Sequence, residues 1–188
     1  MSKIYIIKTG QTDYIEGDLN FITNGEKMFY YCSNLTSFTG DLSSLTNGSY
    51  MFNYCSNLTS FSGDLSSLTN GYYMFSQCKN LTSFNGDLSS LTSGTYMFQF
   101  CSNLTSFNGD LSSLTSGANM FGNGTTNCCK LDLASVQNIA DTINDLAAQG
   151  KTGSISIGMA KSIQGNADLD TALATIRSKG WTVTEIYA

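Results

Sequence analysis

Five methionines, Met28, Met51, Met74, Met97 and Met120, stand 23 residues apart, and the stretches they open are near copies of MFYYCSNLTSFTGDLSSLTNGSY. A strict period of this size marks a solenoid, in which one unit cannot bury its apolar face alone and must be stacked on copies of itself. The period is too short for helical-pair repeats, which need about 33 residues or more. The apolar positions Met28, Phe29, Cys32, Leu35, Phe38, Leu42 and Leu45 are spaced by threes and fours, as on an amphipathic helix. Propensity opposes that reading: SNLTSFTGD is built almost wholly of poor helix formers, with Gly40 inside it and Gly48 in the next segment. The sequence therefore predicts a short strand over 35–40, a turn at Gly40-Asp41 and an irregular return over 45–52.

The repeat extends past its obvious copies. Ile15-Glu-Gly-Asp-Leu19 followed by Thr23-Asn-Gly25 aligns with Phe38-Thr-Gly-Asp-Leu42 and Thr46-Asn-Gly48, a degenerate first rung that leaves 1–14 as an N-terminal cap. Downstream, Cys128 to Leu131 repeats the spacing of Cys101 to Leu104 after about four inserted residues around 122–126, so Cys128 is expected to continue the cysteine column and Cys129 to face outward. The repeat domain is thus 15–130. Beyond it the texture changes. ASVQNIADTINDLAAQ predicts a helix over 134–149 that buries Val136, Ile139, Ala140, Ile143, Leu146 and Ala147 and stops at Gly150. A strand over 154–157, a helix over about 169–179 and a strand over 181–187 follow, with strand centres at Leu131, Ile155 and Val183. Residues 131–188 are expected to form a helix-bearing C-terminal cap that continues the sheet and blunts its open edge.

The pattern Met-Phe-x-x-Cys-x-x-Leu-x-x-Phe, followed by Gly-Asp-Leu, resembles the BspA-like bacterial leucine-rich repeats, including their Met-Phe-rich variant, over about 15–130. The tail, with Lys179-Gly-Trp-Thr182, is similar to closing segments found in such proteins of gut Bacteroidetes and their phages. The resemblance implies a leucine-rich-repeat solenoid: a right-handed superhelix of short parallel strands with mostly irregular returns, closed by an α/β C-terminal cap. It also implies a non-catalytic binding surface, of the kind carried by cell-surface or virion-associated proteins. Surface members of the family carry a signal peptide or lipoprotein start, whereas here the apolar run Ile4–Ile7 is far below a signal-peptide core. The expected location is therefore a phage particle or the cytoplasm. The expected role is a virion-associated accessory or host-contacting protein, with a cytosolic adaptor or a bacterial surface adhesin module as alternatives.

Composition removes other classes. Only 12% of the 188 residues are charged and the net charge is -5, which provides no phosphate-neutralising patch for nucleic acid. No apolar run approaches the roughly 18 residues that insert in a membrane. Histidine is absent, and with it the commonest general base and metal ligand. The serines have no repeated basic partner, so the chain is read as catalytically silent and without cofactor.

Single columns of the repeat carry their own expectations. Cys32, Cys55, Cys78, Cys101 and Cys128 stack at the strand spacing of about 4.8 Å with parallel side-chain vectors, which suits buried thiols better than disulfides or a metal site. Asn34, Asn57, Asn80 and Asn103 open formal Asn-Leu-Thr sequons but are expected to bond the turn backbone before each strand. Asp18, Asp41, Asp64, Asp87 and Asp110 repel one another as a column, so each needs a local bond to the following Leu-Ser-Ser backbone, with shared calcium as the alternative. The rungs differ most at Tyr30/Asn53/Ser76/Gln99, at Tyr31/Tyr54/Gln77/Phe100 and at the unit ends such as Tyr72-Tyr73, and this variation is taken to mean exposure. The partner-binding candidates are the aromatic set Tyr30, Tyr31, Tyr54, Tyr72, Tyr73 and Phe100. The second set is the small polar strand face of Thr39, Ser62, Asn85 and Asn108. The expected partner is a protein or a surface glycan, with homo-oligomer or virion assembly open.

Overall fold

A computed structural model describes residues 4–9, 12–123 and 128–188. In chain order its elements are β1 (Ile4–Thr9), β2 (Thr12–Asp18), β3 (Leu35–Asp41), β4 (Ser60–Gly63), β5 (Ser83–Phe84), β6 (Ser106–Phe107), α1 (Leu133–Thr142), β7 (Gly153–Met159), α2 (Ala167–Ser178) and β8 (Trp181–Tyr187). Between Leu19 and Asn123 the described chain contains no helix, so propensity outweighs the helical spacing of the apolar residues. β1 runs antiparallel to β2, and β2, β3 and β4 then pair in parallel with Glu16 opposite Thr39 and Thr39 opposite Ser62. The first rung therefore sits where the alignment of Ile15–Leu19 places it.

The strands shorten along the stack, and the sheet breaks between β4 and β5, which pairs only with β6. Hydrogen bonding is instead continuous across the rung. Parallel bridges run Asn24 to Asn47, Asn70, Ser93 and Ser116 without interruption. The N–H groups of Gly25, Lys27, Phe29 and Tyr31 donate to the carbonyls of Asn47, Ser49, Met51 and Asn53 at 2.8–3.0 Å. The intervening N–H groups of Met28, Tyr30 and Cys32 close turns on the carbonyls three residues back, and later rungs repeat the pattern. This alternation requires left-handed backbone at two positions per rung: Lys27, Tyr50, Tyr73, Tyr96 and Asn119 have φ of 55–60°, and Tyr31, Tyr54, Gln77 and Phe100 have φ of 59–67°. Each such L-residue costs about 1–2 kcal/mol, which the bonds to the next rung offset.

Two phenylalanine columns fill the core. Phe29, Phe52, Phe75, Phe98 and Phe121 stack at 5.2–5.6 Å, and Phe38, Phe61, Phe84 and Phe107 at 5.4–6.0 Å. The columns meet edge to face, as at Phe61–Phe75 and Phe84–Phe98, both 4.9 Å apart. Each methionine from Met51 onward lies under the glycine of the preceding rung. A Cβ on Gly25 or Gly48 would come within 2.8 Å of the sulfur of Met51 or Met74.

The side-chain columns confirm one expectation and correct three. Asp18, Asp41, Asp64, Asp87 and Asp110 each accept from the backbone N–H two residues on, at 2.8–3.1 Å. The Ser43 bonds hold the Asp41 carboxyl below its usual range. The asparagines that bond the turn backbone, however, are Asn24, Asn47 and Asn70, whose Oδ1 atoms accept from the N–H two residues on, while the Nδ2 groups of Asn47 and Asn70 donate to the asparagine of the preceding rung. The Asn34 column is exposed, and its bond is an amide contact from Asn80 to Asn57 at 3.3 Å. Cys129, not Cys128, continues the cysteine column. The thiols of Cys55, Cys78 and Cys101 donate to Phe29, Phe52 and Phe75 O, 26 residues back, and Cys129 does the same to Phe98 O, 31 back, while being fully buried. Asp132 N bonds Thr105 O, 27 back, where the repeat bond from Thr105 reaches Thr82, 23 back. The insertion is thus five residues at the cysteine and four at the leucine. Residues 124–127 of the insertion lie outside the described residues. Finally, Asn53, Ser76 and Gln99 are buried, so variation at that position does not mean exposure. They lie under the turns, where Asn53 Nδ2 donates to Ser76 O.

After Leu131 the chain changes sides. β7 bridges Gly117 through Ile155 and Leu131 through Met159, and β8 pairs with β7 in parallel with Val183 opposite Ile155. A Cβ on Gly158 would come within 2.6 Å of the carbonyls of Phe121 and Cys129, so only glycine permits this approach. α1 lies where the next strand after β6 would be: Ser135 Oγ accepts from Phe107 N, and Asn138 Nδ2 donates to Gly109 O. The expected helix over 134–149 ends at Thr142, because Asn144 turns away to bond Leu111 and Leu114. Lys179 Nζ donates to Ala140, Asp141 and Ile143 O, and Trp181 Nε1 to Asn144 O, so the Lys-Gly-Trp stretch holds that helix end. Val136, Ile139, Ala140, Ile143 and Leu146 are buried as expected, while Ala147 is exposed in a separate 3-10 turn.

Candidate functional site: a tyrosine ladder on the turn edge

The left-handed residues of each rung turn their side chains onto one edge, and the repeat stacks them. Tyr31 and Tyr54 lie face to face at 4.3 Å and 6°. Tyr73 is stacked on Tyr50 at 5.1 Å and on Tyr96 at 4.5 Å. Lys27 heads the second stack with its ammonium 5.6 Å over the Tyr50 ring. Tyr30 and Tyr72 stand edge-on to their neighbours, and Tyr30 joins the stacks through Tyr50 at 6.4 Å.

Of the aromatic residues singled out in the sequence, Tyr30, Tyr31 and Tyr54 form one exposed group, 40%, 55% and 37% accessible. Tyr72 and Tyr73 form a second, half-buried group. Phe100 is half-buried and makes no ring contact with a described residue, because Gln77 interrupts its column. Sequence reasoning missed Tyr50, Tyr96 and Lys27. The signal was present: Tyr50 and Tyr96 lie 23 residues on either side of Tyr73. The strand-face candidates Thr39, Ser62, Asn85 and Asn108 are all exposed and border the other phenylalanine column. Ser62 and Asn85 line a shallow cleft of about 520 Å³ with Phe61, Gly63, Asp64 and Gly86, where β4 and β5 part.

The electrostatics favour neutral groups. Burial, and then the neighbouring phenols of Tyr72, Tyr96 and Tyr50, push the Tyr73 hydroxyl up to about 12. Burial pushes the Cys55 thiol up to about 12 and the Cys78 and Cys129 thiols higher than usual, so none is a ready nucleophile. Among the described residues no group of three or more His, Cys, Asp or Glu could hold a metal ion, and no helix is long and apolar enough to cross a membrane. What the ladder offers chemically is rigid ring area with hydroxyl donors at its rim.

A family model, the BspA type leucine-rich repeat region, matches residues 16–152 in six copies. The matched span runs past the expected boundary at 130 and includes α1. No curated protein and no solved structure matches the chain significantly.

Proposed function

Because the chain belongs to the BspA-type leucine-rich repeat family, a family of protein-binding and adhesion repeats, we propose that it is a non-catalytic binding or assembly module that engages a protein or a surface glycan on its tyrosine edge. One observation carries this reading. Tyr30, Tyr31 and Tyr54 keep more than a third of their surface in solvent although their backbone is fixed, Tyr31 and Tyr54 by N–H bonds to Asn53 O and Ser76 O of the next rung and Tyr30 by its turn bond to Lys27 O. Ordered aromatic rings lose little freedom on binding, and such residues dominate interface energies. In this reading 1–14 and 131–188 close the ends of the 15–130 repeat.

Within that role we place the chain as an accessory or host-contacting component of a phage particle, on the strength of its Lys179-Gly-Trp-Thr182 tail. A cytosolic adaptor and a bacterial surface adhesin module are the alternatives. Mass spectrometry of purified particles tests the placement: presence of the chain supports it, and absence favours the alternatives. The cleft between Ser62 and Asn85 favours a second reading, a partner on the strand face. Alanine at Tyr31 and Tyr54, compared with alanine at Ser62 and Asn85, decides between the faces by which pair lowers affinity for the particle or host surface.

A further inference from the structure

In every rung from the second onward, the turn edge receives the backbone of the rung before it: Asn47, Ser49, Met51 and Asn53 carbonyls accept from Gly25, Lys27, Phe29 and Tyr31. Among the described residues the first rung has no such predecessor. Its corresponding carbonyls, Asn24, Glu26, Met28 and Tyr30, accept no hydrogen bond from any described residue, and β1 pairs with β2 on the strand side alone. The apolar surface repeats the defect. Met28 is 39% exposed where Met51, Met74, Met97 and Met120 are fully buried, each against the glycine 26 residues before it. Phe29 is stacked on one side only, tilted 26° to Phe52 where the following pairs lie within 2–4°. Among the described residues, all the exposed large apolar side chains, Phe21, Met28, Tyr30, Tyr31 and Tyr54, fall on the first two rungs.

We propose that this end of the turn edge is a docking site for a polypeptide that adds one more rung backbone, with N–H donors at alternate residues over Asn24, Glu26, Met28 and Tyr30, a glycine over Met28 and an aromatic ring over Phe29. The polarity of the ladder selects the occupant. A second copy meeting it end to end through the same surface would set carbonyls against carbonyls, and this chain's last such segment, Gly117–Phe121, is already engaged by β7. Addition of a backbone to an open ladder is a recurrent mode of peptide recognition. The inference rests on the reading of the chain as a binding module and narrows it to one end of the edge.

The probe is a synthetic peptide copying Thr46–Tyr54, the chain's own rung segment, titrated to millimolar concentration into the full chain while backbone amide NMR shifts are followed. The expected result is shifts confined to 21–31, at least a tenfold weakening when Gly48, Tyr50 and Phe52 of the peptide are N-methylated, and a similar loss in a Met28→Glu protein whose melting temperature is unchanged. Absence of shifts, or equal binding by the methylated peptide, overturns the proposal. So does a linear β-glucan oligosaccharide shifting the same amides when the peptide does not. Peptide shifts on Tyr72 and Tyr73 instead would overturn this site alone and leave the tyrosine edge as the binding surface.

Discussion

The chain carries two aromatic ladders built on one period, one inside and one outside, and they obey different rules. In the interior, Phe29, Phe52, Phe75, Phe98 and Phe121 are the same residue in five successive rungs, held 5.2–5.6 Å apart. On the turn edge the corresponding column reads Lys27, Tyr50, Tyr73, Tyr96 and Asn119, with equally regular backbone at φ of 55–60°. The interior ring is fixed by contacts on every side, so a different side chain leaves a void. The outer position is fixed by backbone bonds to the next rung, so the side chain can vary without altering the rung. Regular geometry and uniform sequence are therefore separate properties of a solenoid, and only the first is needed for stacking.

The strongest way to break this comparison is to remove an inner ring. Phe75→Ala deletes a fully buried side chain stacked on Phe52 and Phe98 and edged by Phe61 and Phe84. A loss of about 3–5 kcal/mol is expected from urea unfolding. A loss below about 1 kcal/mol would mean that the core ladder is as tolerant as the outer one.

Alkaline pH probes the buried thiol column and the outer ladder together. A thiol ordinarily ionises near 9.0, and burial raises Cys55 to about 12; the Tyr73 phenol moves in the same direction, from 10.0 to about 12. Because the folded pKa values are raised, the folded state binds these protons more tightly than the unfolded chain. The contribution is complete below pH 9 and is lost as pH rises toward 12. Urea midpoints should fall steadily above pH 9, and Cys55→Ala should make that fall shallower. A flat profile to pH 11 would contradict burial of the thiol column.

A smaller effect sharpens the outer rule. Tyr73 sits at φ 55° between two stacked rings. Tyr73→Ala loses the rings, worth about 0.5–1.5 kcal/mol each, and keeps the left-handed strain; Tyr73→Gly loses the same rings and relieves about 1 kcal/mol of strain. Glycine should therefore be the more stable variant, by differential scanning calorimetry, against its usual rank. Alanine being more stable would show that the backbone bonds do not set this position.

Much of the inner ladder was legible in the sequence and much of the outer was not, for the same reason. Period and apolar identity report burial directly, so the Phe and Met columns, the first rung at Ile15–Leu19 and the strand at Trp181–Tyr187 follow from spacing. Left-handed backbone at Tyr, Gln and Phe leaves no mark in composition, because glycine, its usual sign, is absent from those positions. Rung-to-rung variation was a poor proxy for exposure at Asn53, Ser76 and Gln99, which are polar yet enclosed by the turns above them. The Cys129 register turns on an insertion counted differently by two columns, and the early end of α1 on what Asn144 bonds.

The smallest stability effect is expected where the functional effect is largest. Tyr31 is the most exposed of the tyrosines whose side chains are described, 55% accessible, stacked on Tyr54 with Tyr30 edge-on to it at 4.6 Å. Truncating it forfeits one stacked and one edge-on ring contact, both at an exposed position where water partly replaces them, so Tyr31→Ala should shift the melting temperature by no more than a few degrees. The same ring, ordered and solvent-facing, is an interface anchor of the kind whose loss costs about 2 kcal/mol or more in binding. Paired measurements on Tyr31→Ala and Tyr73→Ala, melting temperature against affinity for the particle or host surface, should therefore move in opposite order. If Tyr31→Ala proves the less stable protein, its ring belongs with the inner ladder, and the division between a core that fixes residues and an edge that frees them fails at its outermost position.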